Sequence, residues 1–81
     1  METDVERIIC IARNAEKVFG EEGLNAAIHE LDGIRTLVAG GELSWVYGVI
    51  DLLCDDLEKH KGQNVIHDIE TFIEIVCSRV K

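Results

Sequence analysis

Apolar residues recur at helical intervals in four blocks along the chain, and glycine or polar turns separate the blocks. Val5, Ile8, Ile9, Ala12, Ala15, Val18 and Phe19 follow Thr3 and Glu6, a pair at capping-box spacing, so a first helix is predicted from about Asp4 to Phe19. Gly20 and Gly23 break that pattern. Leu24, Ala27, Ile28, Leu31, Ile34 and Val38 make a second stripe, which the Gly40-Gly41 pair ends. A third helix is predicted to start near Glu42 or Ser44, with Leu43, Val46, Ile50, Leu53 and Leu57 on one face. Lys59, His60 and Lys61 suit the negative end of its dipole, and Gly62 is its expected stop. Asn64 is placed to cap a fourth helix, where Val65, Ile66, Ile69, Phe72, Ile73, Val76, Cys77 and Val80 share a face.

The connections are only a few residues long, which predicts consecutive helices folded back on one another. The expected fold is therefore all-α: a compact bundle of about four antiparallel helices, arranged as two helical hairpins, in a single domain spanning residues 1–81. A domain of this size buries only about 60% of its unfolded surface, so association with a second chain would add stability that the core alone supplies sparingly. The expected state is a dimer.

Helix three carries more apolar surface than one core stripe requires. At 100° per residue, Trp45, Val49 and Leu52 fall on a second side, with Gly48 beside them. Helix two has a thinner second set, Ala26, Gly33 and Leu37, and in helix one Ile8, Ile9, Cys10 and Ile11 run nearly around a full turn. Glycine inside a helix costs about 1 kcal/mol relative to alanine, and close approach of another helix at Gly33 and Gly48 would offset that. Two arrangements satisfy the pattern. Helix three is either a central helix covered on both sides, or it presents Trp45, Val49 and Leu52 to a second chain, with Leu37 in the same interface and Gly33 and Gly48 permitting close packing.

Composition narrows the setting. Hydrophobic residues make up 47% of the chain, proline is absent, and Leu, Ile, Val and Ala dominate, as in packed helices. Three cysteines without a Cys-x-x-Cys pair, and no charged-then-apolar leader after Met1, lead to the expectation of a reducing, cytoplasmic location. No apolar run reaches the roughly 20 residues that span a bilayer. Eight basic residues against sixteen acidic ones give a net charge of −8, which disfavours direct contact with nucleic acid or anionic lipid. That charge would favour a basic protein partner. Asp51, Asp55 and Glu58 lie along one flank of helix three, and Glu70 and Glu74 along one flank of helix four; side by side, they would form a negative ridge.

No constellation of residues points to catalysis. Ser44 and Ser78 fall at helix ends, and nucleophile, phosphate-loop and dinucleotide motifs are absent. Ser44 stands in Leu43-Ser44-Trp45 rather than in the Asp-Ser-Leu context that carries the prosthetic group of acyl carrier proteins. Cys54 with Glu58, and Asp56 with His60, have helical spacing but diverge, so no metal set is expected. His60 is read as a partner of the helix dipole or of Asp56, and all three cysteines as buried, inert thiols.

The expectation is a non-enzymatic helical interaction module without a cofactor, a homodimeric regulator or adaptor associating through the second face of helix three. The alternative is an acidic inhibitor that mimics nucleic acid and occupies a basic surface of a partner protein.

Overall fold

The computed structural model describes residues 3–79. It contains four helices: α1 (Asp4–Glu22), α2 (Leu24–Val38), α3 (Trp45–Lys59) and α4 (Val65–Arg79). Helix α1 opens with the capping box read from the sequence: the Glu6 N–H donates to the Thr3 hydroxyl at 3.1 Å, and the Thr3 N–H donates to the Glu6 carboxylate at 3.3 Å. It runs past the predicted end at Phe19, because Gly20 is accommodated in helical conformation. The break comes at Gly23, whose φ of 98° is accessible to glycine at little cost, and whose N–H donates to the Phe19 carbonyl. The Gly23 carbonyl in turn accepts from the Ala27 N–H at 3.2 Å, so one residue closes α1 and opens α2.

Each helix packs on the next, and α4 returns to α1, enclosing one core. Ile8, Ala12 and Ala15 enter it from α1, and Leu31, Ile34 and Val38 from α2. Val46, Ile50 and Leu57 come from α3, and Val65, Ile69, Phe72 and Val76 from α4. Among the described residues no polar or charged residue is buried as a whole, and the exception at the level of atoms is Arg35, whose Nε is buried without a hydrogen-bond partner. The radius of gyration, 11.8 Å, matches the roughly 11.7 Å expected of a well-packed chain of this length. No helix among the described residues is long and apolar enough to cross a membrane.

Two contacts tie the ends of α3 and α4 together. The Arg79 guanidinium, in the last turn of α4, lies 5.1 Å from the Trp45 ring centre at the start of α3. His60, just past α3, has Nδ1 3.4 Å from an oxygen of Asp68, in the first turn of α4. The histidine therefore pairs with Asp68 and not with Asp56.

The stop of α3 also differs from the prediction. The Gly62 N–H donates to the Leu57 carbonyl, and the Lys61 N–H to the Glu58 carbonyl, which is the bonding pattern of a Schellman motif. That pattern places Lys61, with φ 53°, in the left-handed position that glycine usually takes. Asn64 is left-handed as well, at φ 61°, and its carbonyl accepts the Asp68 N–H at 2.9 Å. Glycine at position 61 would remove the Cβ conflict of a left-handed lysine. Lys61→Gly is expected to stabilise the fold by about 0.5–1 kcal/mol, measured as a higher urea midpoint at unchanged m value.

Candidate functional site

The second apolar face of α3 does not behave as a unit. Trp45 and Val49 are half-buried and lean on the core, Trp45 with one ring face under Arg79. Leu52 stands out with 66% of its surface exposed. A Cβ added at the neighbouring Gly48 would meet nothing within 4 Å, so no helix of the same chain approaches it. Across the seam, α4 contributes Ile75, 39% exposed, which the helical pattern did not single out because it lies off the core stripe. Val49, Leu52, Leu53, Phe72 and Ile75 line a shallow cleft of about 210 Å³, with Asp56 and Asp68 at its rim. Ile66, expected on the core face of α4, is also exposed.

Gly33 and Leu37 lie elsewhere. With Arg7, Cys10, Ile11 and Thr36 they line a groove of about 450 Å³ between α1 and α2. Gly33 too has open space where a Cβ would be, so no backbone of the same chain approaches it. The six apolar and glycine positions singled out from the sequence thus divide between two surfaces, one on α3 and one between α1 and α2.

The acidic residues divide in the same way. Asp51 points toward α2, where it pairs with Arg35 Nη2 at 2.6 Å, while Arg35 Nη1 bonds Asp32 at 2.8 Å. Glu70 points toward α1 and takes Arg13 Nη1 with both oxygens, at 2.8 and 2.9 Å. Those pairs occupy opposite flanks of the α3–α4 seam, so the two acidic rows do not merge into one ridge. Glu16, on the Arg13 side, has its carboxyl pushed above the usual range, chiefly by burial and then by the Glu70 charge. Asp55 and Glu58 border a hollow with Arg35, Asp51, Leu52 and Cys54, and Glu74 lies on α4 near Thr71 and Arg79. Among the described residues, no three His, Cys, Asp or Glu side chains converge as a metal-ligand set.

The chain was compared with models of known protein families, with curated proteins and with solved structures, and none matches.

The cysteines do not share one environment. Cys10 is exposed on α1, contrary to the buried position expected from its apolar turn, because that turn places Ile8 inward and Cys10 outward. Cys77 is half-buried, and Cys54 is buried beside Arg35. Burial pushes the Cys54 thiol up to about 11, with the Arg35 charge opposing the rise. A folded-state pKa raised above the unfolded value means that the stabilisation from keeping the thiol neutral is intact below pH 8 to 9 and fades as pH climbs toward 11. In a maleimide time course on the folded protein at pH 7, Cys10 is expected to react within minutes and Cys54 only after denaturant is added.

Proposed function

We propose that the protein is a non-enzymatic interaction module of two antiparallel helical hairpins that forms a homodimer through the outward face of α3 and acts as a small regulator or adaptor. One observation carries this reading. Leu52 is 66% exposed, next to an apolar cleft that continues onto Ile75 of α4. An exposed leucine alone is ordinary; one continuous with a cleft whose floor reaches the core fits a surface that another chain covers. The Arg79–Trp45 and His60–Asp68 contacts, at opposite ends of α3, support the antiparallel course of the second hairpin.

A cytoplasmic location fits three thiols without a disulfide framework. The reading as an acidic mimic that occupies a basic partner surface draws its support from the net charge of −8 and from Asp55, Glu58 and Glu74. It draws less from Asp51 and Glu70, whose charges are already answered by Arg35 and Arg13.

Size-exclusion chromatography with light scattering tests the dimer. Wild type is expected at twice the 9.1 kDa chain mass, and Leu52→Glu at the chain mass with an unchanged helical circular dichroism spectrum. A wild-type monomer, or a variant that still dimerises, would overturn the proposal.

A further inference from the structure

The outward face of α3 has a self-complementary spacing. Leu52 projects one helical turn beyond Gly48 on the same side, and the two are the most prominent knob and the emptiest notch of that face. We propose, building on the homodimer reading, that the occupant of this face is a second copy placed with its α3 antiparallel. A two-fold axis near Ile50 then seats Leu52 of each copy on Gly48 of the other.

Sterics and charge select this arrangement. Both close contacts are the same contact, as an isologous interface requires. The missing side chain at Gly48 lets the two helix backbones approach, which accounts for an exposed mid-helix glycine that nothing in its own chain explains. The alternative two-fold, with the helices parallel, sets Leu52 against Leu52 and leaves the notches facing each other. It also opposes Asp55 and Asp56 of the two copies directly, and like charges in register are destabilising.

In the antiparallel arrangement Asp55 and its symmetry mate are separated by about 15 Å along the axis at 1.5 Å per residue. That exceeds the Debye length of about 8 Å at physiological salt. Asp55 and Asp56 are carried instead to the end of the partner's α3 where Trp45 and Arg79 lie. The first turn of α3 contains no acidic residue, and among the described residues Arg79 stacks on Trp45 without an ion pair. The acidic end of one copy thus meets the positive end of the other helix and a guanidinium that has no carboxylate partner among the described residues.

The test measures dimer dissociation constants by sedimentation equilibrium for wild type, Leu52→Glu, Gly48→Ala, Arg79→Glu and the control Gly20→Ala. Folding is followed separately by thermal denaturation, with Gly48→Ala placed in the monomeric Leu52→Glu background. There Gly48→Ala is expected to raise the melting temperature by about 4–8 °C, since it gains helix propensity and its new Cβ meets nothing within 4 Å. In the dimer it is expected to raise the dissociation constant at least tenfold. Arg79→Glu is expected to weaken the dimer several-fold, and Gly20→Ala to leave it unchanged.

If Leu52→Glu breaks the dimer but Gly48→Ala leaves it as tight as wild type, the α3 interface stands and the antiparallel register is overturned. An unchanged dissociation constant for Arg79→Glu overturns the register as well, because in a parallel pair residue 79 faces its own symmetry mate and the substitution only exchanges one like-charge pair for another. A wild-type monomer, or a dimer indifferent to Leu52→Glu, overturns the interface together with the register.

Discussion

The exclusion of polar and charged residues from the interior, which holds among the described residues, is the constraint on which the rest of this molecule depends. A chain of 81 residues has one core to fill, and the four helices fill it with Ile, Leu, Val, Ala, a single phenylalanine and Cys54. Charge is kept to the surface and used there to join neighbours: Arg13 links α1 to α4, and Arg35 links α2 to α3. These exposed pairs contribute little individually, so they set the flanks of the bundle more than its stability. Apolar residues that the core cannot hold are displaced to the seams. That overflow supplies Leu52 and Ile75, and with them the surface proposed for association.

Much of this was legible because helix periodicity and helix ends are local properties. Thr3 and Glu6 meet across one turn, so their capping box can be read without knowing the fold. The core stripes of α2 and α3 likewise follow from spacing alone, since only one face of each can turn inward. The end of α1 was misplaced because Gly20 can be helical, and only the geometry at Gly23 shows which glycine breaks the chain. Lys61 was passed over in favour of Gly62 because a left-handed lysine is uncommon, and here the hydrogen bonds of the turn require it.

What the sequence withheld concerns pairs of helices. Trp45, Val49 and Leu52 share a stripe, yet the first two lean on the core and only Leu52 projects, a difference set by where α4 lies. Ile75 gains its meaning from Leu52 across the seam, and no periodicity within α4 reveals that. The acidic rows on α3 and α4 looked alike in one dimension, but Arg35 and Arg13 draw them to opposite flanks. Cys10 has three isoleucines as close neighbours in sequence and still faces outward, because a full turn of apolar residues cannot all face one core.

The single-residue joint at Gly23 bears on how the chain reaches this state. Helices α1 and α2 share that residue as stop and start, so the loop that must close to bring them together is close to the shortest a polypeptide allows. Loop-closure entropy is smallest for such a pair, and topologies rich in local contacts are the fast ones. The α1–α2 pair can therefore dock once residues through Val38 are available, giving α3 and α4 an apolar floor on which to assemble. On a growing chain, the half of the protein made first would be the template, and the half carrying Leu52 would be fitted to it.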